Sequence, residues 1–119
     1  MENIKLIHHH PGAPLLRLFG LGPGLIPVNG ISQLKILLKE NTFWAKKRSK
    51  KQLREMIKNS SAIVTLWINQ EMIGFGRATS DEIYRAVLWD IVIADNKQNL
   101  GLGKLLVDSL IKSKSIKHV

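Results

Sequence analysis

The stretch best suited to chemistry is Gln98-Asn99-Leu100-Gly101-Leu102-Gly103-Lys104. Two glycines one residue apart let a backbone approach a bulky anion with no Cβ in the way. Where such a turn opens a helix, successive N–H groups form a concave set of donors, and the helix dipole adds a partial positive charge. A pyrophosphate is the natural guest. Two common phosphate loops are excluded by spacing. A P-loop needs glycine five residues before its Gly-Lys pair and Ser or Thr after it, where Gln98 and Leu105 stand. A dinucleotide fingerprint needs a third glycine where Leu106 stands. What remains is Q-x-x-G-x-G.

Asp90 is the second candidate, as the sole carboxylate in the apolar run 86–94. Burial there predicts a raised pKa, which suits a general base near neutral pH. A carboxylate held by neighbouring backbone, Arg77 or Arg85 fits the sequence equally. Asp81 and Glu82 read as turn residues. His8, His9 and His10 are consecutive, so in an extended segment they point to opposite sides, which suits a surface or linker role better than a metal site. Core packing is the expectation for Trp44, Trp67 and Trp89.

The elements that must position these groups follow from periodicity. Residues 1–30 are rich in glycine and proline and read as an extended or looped segment, with a short strand at 15–19 or 24–26. Ile31, Leu34, Leu37 and Leu38 predict a helix over 30–40, started by Asn29 or Ser32. Ser49 and Gln52 form a capping-box pattern for a second helix, with Leu53, Met56 and Ile57 as its apolar stripe. Lys46, Lys47, Arg48, Lys50, Lys51, Arg54 and Lys58 crowd around it, as a solvated face or as a surface that attracts phosphate or acidic groups.

The period then changes to two. Strands are predicted at 62–68 and 72–79, joined by a turn at 69–71, and Gly74 and Gly76 point to a bulge or a close backbone approach. The run 86–94 is the strongest strand; apolar on both faces, it is expected centrally with both sides covered. A polar loop over 95–99 and the glycine turn lead to a helix over 103–112, and residues 113–119 begin a new connection. The fold class is therefore α/β (α+β), an antiparallel meander followed by a strand-loop-helix unit.

Composition bounds the rest. With 119 residues and 45% hydrophobic content, the chain is one domain or most of one. It has no cysteine, so thiolate metal sites are excluded. The net charge of +9 attracts polyanions, whether nucleic acid, anionic membrane or a phosphorylated cofactor. No secretory pattern is visible, and the apolar stretch 15–31 is broken by Gly20, Gly22, Pro23, Gly24, Pro27 and Gly30, so a soluble protein is expected.

Q-x-x-G-x-G between a strand and a helix resembles the acyl-CoA signature of the GNAT superfamily: Arg or Gln, two residues, Gly, one residue, then Gly or Ala. More narrowly, Phe75-Gly76-Arg77-Ala78-Thr79-Ser80-Asp81, Trp89-Asp90-Ile91-Val92-Ile93 and the 98–103 loop look like the plastid-encoded acetyltransferases of red algae and their plant chloroplast relatives. This resemblance covers most of 31–119. It implies an N-terminal segment over 1–30, a GNAT domain over 31–119, and an acetyl-CoA-dependent N-acetyltransferase of the plastid or chloroplast stroma. The acceptor would be a lysine, a protein N-terminus or an arylalkylamine such as serotonin, with no metal and no membrane partner.

By the same resemblance, main-chain groups of Ile91, Val92 and Ile93 pair with the pantetheine arm. The amides of Gln98, Asn99, Leu100, Gly101, Leu102, Gly103 and Lys104 hold the pyrophosphate, and an N–H near Ile91 or Val92 polarises the thioester carbonyl. A complete domain of this type continues past Val119 with a strand, a helix that commonly supplies a tyrosine acid, and further strands. The sole tyrosine here is Tyr84, upstream, so the fold is expected to be incomplete at its C-terminus and the 119 residues to bind acetyl-CoA weakly and turn over poorly. The other readings are a non-catalytic cofactor-binding remnant and a basic nucleic-acid-binding module. Against the latter, no nucleic-acid motif or aromatic platform accompanies the basic residues.

Overall fold

The computed structural model describes residues 3–45, 47–81, 83–98, 100–113 and 116. Its middle layer is an antiparallel sheet in the order β1 (Ile4–His9), β2 (Ala62–Ile68), β3 (Glu71–Ser80), β4 (Ala86–Ile93). Three helices, α1 (Pro14–Phe19), α2 (Gly30–Asn41) and α3 (Lys50–Lys58), pack on one face, and α4 (Leu102–Ile111) packs on the other.

Alternation along β2 explains the two cores. Ile63 and Trp67 point to the α1–α3 side, where Leu16, Leu34, Leu38, Leu53, Ile57 and Phe75 meet them. Val64 and Leu66 point the other way, toward Leu102, Leu106 and Leu110 of α4. Full burial of each leucine stabilises the fold by on the order of 2 kcal/mol. The strands covered on both sides are thus β2 and β3, with Met72 and Phe75 of β3 in the first core and Ile73 and Ala78 in the second, rather than the apolar run 86–94. β4 is the last strand of the sheet, and Val87 and Trp89 are each 45% exposed.

Local signals hold where a side chain meets its own backbone. The Ser49 Oγ accepts from the Gln52 N–H at 3.1 Å and the Ser49 N–H donates to Gln52 Oε1 at 2.8 Å, closing the capping box that starts α3. Asn29 does stand at the N-cap of α2, yet with φ 54 and no side-chain capping bond. Asp81 closes its turn as expected, its Oδ1 accepting the N–H groups of Ile83, Tyr84 and Arg85. Those three bonds hold its carboxyl below the ordinary value.

The first thirty residues depart only in part from the expectation of an extended or looped segment. Ile4–His9 forms β1, paired with β2 from Ile4↔Ile68 to His9↔Ile63. Residues 15–19 lie in a helix, started by Pro14 and ended by Gly20 in the left-handed region at φ 65; Gly24 and Leu25 lie in a 3-10 turn. The reason is packing. The Leu16 side chain is fully buried against α2 and α3, a partner that short-range pattern does not reveal.

Gly74 and Gly76 admit α4 and the β4 side chains. A Cβ on Gly76 would lie 2.9 Å from Ile91 Cδ1 and 3.1 Å from Leu110 Cδ1. The close approach and the bulge expected from these glycines are both present, since the β3–β4 register shifts between Phe75 and Arg77.

Candidate functional site

The register shift defines the site. Phe75 pairs with Val92 and Arg77 with Trp89, so Asp90 and Ile91 together oppose Gly76. Asp90 takes the left-handed conformation, φ 52, that lets the extra residue fit. Beyond the bulge, the Ala94 N–H donates to Ile73 O at 2.8 Å. Residues two apart on an antiparallel strand share a side, so Val92 also turns its main-chain groups toward β3. Ile91 and Ile93 turn theirs to the open edge. Of the three residues expected to meet the pantetheine arm, Val92 thus belongs to the ladder, and Ile93 O on the open side accepts from Gln98 Nε2 at 3.2 Å.

That open edge leads into the glycine turn. Gly101 lies at φ 76, the left-handed region that favours glycine, and caps α4. A Cβ on Gly101 or Gly103 would meet nothing within 4 Å, so the space over the turn is open. The first N–H groups of α4 have no partner inside the helix and point into that space. A shallow cavity of about 290 Å³ is lined by Ile91, Ile93, Lys97, Gln98, Gly101, Leu102 and Gly103.

Gln98 makes bonds of its own within the turn. Its main-chain N–H turns back to Asp95 O at 3.4 Å, and its Nε2 donates to Ile93 O at 3.2 Å and to Asp95 Oδ1 at 3.1 Å. It braces the turn against the end of β4. Leu100 is exposed and Leu102 is buried in the α4 core. Lys104 Nζ pairs with Asp108 Oδ2 at 2.7 Å along the helix. Asn99 lies outside the described residues.

Asp90 sits in a knot of cations. Its Oδ2 lies 3.0 Å from Arg48 Nη1 and 2.9 Å from Arg77 Nε, and its Oδ1 accepts from the Trp44 indole at 3.2 Å. The Asp90 side chain is 3% exposed. Burial pushes its pKa up, but the Arg48 and Arg77 hydrogen bonds outweigh it, and the carboxyl is held below the ordinary 3.8. The raised pKa expected from the apolar strand is therefore reversed, because two guanidiniums complete the setting that burial begins. Of the expected anchors Arg77 is present, and the second is Arg48 rather than Arg85. The Arg77 guanidinium also lies over the Trp89 ring, 5.7 Å from its centroid.

Arg48 and Trp44 belong to the connection between α2 and α3, and sequence reasoning did not link them to Asp90. No local signal joins residues more than forty positions apart. Trp44 and Trp89 are not core residues, being 56% and 45% exposed; Trp67, at 0%, is. Phe43, 82% exposed, stacks edge-on against Trp44 at 5.5 Å. His9 likewise differs from a surface or linker histidine. Its Nε2 lies 2.8 Å from Thr65 Oγ1, which also accepts the Trp67 indole N–H at 2.7 Å. Desolvation, then the charges of His8 and His10, lowers the His9 pKa to about 4. Among the described residues no group of three or more His, Asp or Glu could hold a metal ion, and no helix is long and apolar enough to cross a membrane.

The acetyltransferase (GNAT) family model matches residues 31–114. The chain belongs to the GNAT family. It is similar to the uncharacterized N-acetyltransferase ycf52 of Pyropia yezoensis, at 40% identity over 77 residues covering 61% of this chain and 44% of that protein. It is also similar to the chloroplastic GCN5-related N-acetyltransferase 1 of Arabidopsis thaliana, at 34% over 58 residues covering 45% and 29%. The chain thus matches less than half the length of these GNAT relatives. A Staphylococcus aureus protein of unknown function shares the fold, with TM-score 0.68 and 16% identity over 96% of this chain and 75% of that one.

Proposed function

We propose that this chain supplies the acetyl-CoA-binding part of an N-acetyltransferase acting on a primary amine. One observation carries the reading: the open edge of β4 at Ile91 and Ile93 runs into a left-handed glycine turn at the N-terminus of α4. The residues fit the family's cosubstrate. An edge with free main-chain groups suits an amide-bearing arm, and the unobstructed space over Gly101 and Gly103 suits a diphosphate.

Acetyl-CoA supplies an activated acetyl thioester. The chain's own groups bind and orient. Ile91 and the Ile93 N–H pair with the arm as an added strand would. The amides from Leu100 to Lys104, with Asn99 included by the family pattern, receive the diphosphate. The Ile91 N–H, next to the bulge, serves as the donor to the reacting carbonyl. The amine must arrive uncharged, and we assign Asp90 no part in deprotonating it. A carboxylate already paired with two arginines is a weak base, so Asp90 acts as a positioning residue that fixes the bulge and the α2–α3 connection. The acceptor is a lysine, a protein N-terminus or an arylalkylamine, and the chloroplast naming of the relatives supports a plastid setting.

A thermal-shift titration tests the reading. Acetyl-CoA is expected to raise the melting temperature progressively, the stabilisation growing as the logarithm of its concentration once this exceeds the Kd. In the double variant Gly101→Asp, Gly103→Asp two carboxylates face the diphosphate, and the rise should vanish. An unchanged affinity in that variant overturns the assignment of the turn.

A further inference from the structure

The solvent-facing side of α3 and the residue pair before it carry most of the chain's charge. Residues 47–58 hold six cations (Lys47, Arg48, Lys50, Lys51, Arg54, Lys58) and one carboxylate (Glu55), a balance of +5 within a chain of +9. Arg48 is taken by Asp90. The other five cations are exposed, and no ion pair involves them among the described residues.

Apart from Lys58, which suits the last turn, this placement does not favour the helix. Lys50 and Lys51 occupy its first turn, which has no acidic residue, so cations sit at the positive end of the dipole. Lys50, Arg54 and Lys58 follow one another at i, i+4, i+8, where like charges repel. A helix built for its own stability would carry carboxylates in its first turn. The cations instead make an unneutralised row that a ligand of opposite sign can satisfy.

The row also has a direction. Its Lys58 end lies nearer the site, since Arg48 Nη1, which touches Asp90 beside the bulge, also lies 3.1 Å from Met56 Sδ, and Arg77 Nη1 lies 3.4 Å from Ser60 Oγ; from there the row runs back along α3 to Lys50. From Lys50 to Lys58 the helix rises about 12 Å. An extended peptide covers that distance in about four residues. Resting on the assignment of the bulge as the acyl-transfer site, we propose that the acceptor amine belongs to an acidic peptide segment. Carboxylates within the first few residues beyond the amine lie along Lys58, Arg54, Lys51 and Lys50, in that order. The protein therefore selects protein substrates by acidic flanking sequence. The absence of interleaved aromatic residues on this helix disfavours a single-stranded nucleic acid as the occupant.

Fluorescence anisotropy on the intact chain tests this with three probes. The first is a short peptide with a free N-terminal amine followed by consecutive Glu residues. The second is the same peptide with Gln in their place, and the third is a single-stranded RNA of equal charge. The acidic peptide should bind at least tenfold more tightly than the Gln peptide and more tightly than the RNA, and should weaken as salt rises. The triple variant Lys51→Glu, Arg54→Glu, Lys58→Glu should lose that preference while keeping its melting temperature and its thermal shift with acetyl-CoA. Equal binding of the two peptides, tighter binding of the RNA, or an undiminished preference in the variant each overturns the proposal. Loss of the acetyl-CoA shift in the parent chain would instead strike at the acyl-transfer reading, and it is measured independently.

Discussion

Arg77 donates through Nε to Asp90 Oδ2 at 2.9 Å, and so ties β3 to the residue that makes the β4 bulge. Arg48 grips the same oxygen from the α2–α3 connection. One carboxylate thereby joins both strands at the bulge and the segment packed beside it, which makes Asp90 a strut in the fold's open edge.

Asp90→Ala removes the acceptor of two guanidiniums and an indole. Breaking a largely buried pair from one side costs about 3 kcal/mol. The urea midpoint should fall accordingly, and Arg77→Ala in the same background should add little, since the two share one interaction. Because the folded carboxyl is held low, its contribution is present above the ordinary 3.8 and is lost as pH falls through the folded value. Parent and Asp90→Asn should therefore converge in acid. An Asp90→Ala chain as stable as the parent would show that the knot is incidental.

His9 sets a second pH dependence, of opposite chemical origin. The folded state keeps the imidazole neutral down to about 4, whereas an unfolded chain takes up the proton near 6.5. Stability should be full above 6.5 and fall between there and 4, by on the order of 3 kcal/mol. His9→Gln should flatten that slope. Denaturation curves collected from pH 4 to pH 8 check it, and a slope unchanged in the variant would assign it to other groups.

The glycine turn makes a prediction in which stability and binding part company. At Gly103 a Cβ has open space on a helix, so Gly103→Ala should stabilise the fold by about 0.5 kcal/mol while obstructing the diphosphate. At Gly101 the left-handed φ of 76 makes alanine cost about 1 kcal/mol. Both variants should weaken acetyl-CoA binding, with melting temperatures of the free proteins moving in opposite directions. Undisturbed binding in both would mean that the amides of the turn do not hold the cosubstrate.

The sequence by itself determined features whose causes are local: the Ser49 capping box, the stripes of α2 and α4, the Asp81 turn and the glycine turn after a strand. Each depends on groups a few residues apart, and so is written in short-range spacing. Only the tertiary structure decided that β2 and β3 are the strands buried on both faces, because the helices that cover them are distant in sequence. It also decided the charge state of Asp90 and the neutrality of His9. A pKa is the balance of desolvation against every partner in reach; Arg48 and Arg77 come within reach of Asp90, and His9 is desolvated, only after the chain has folded.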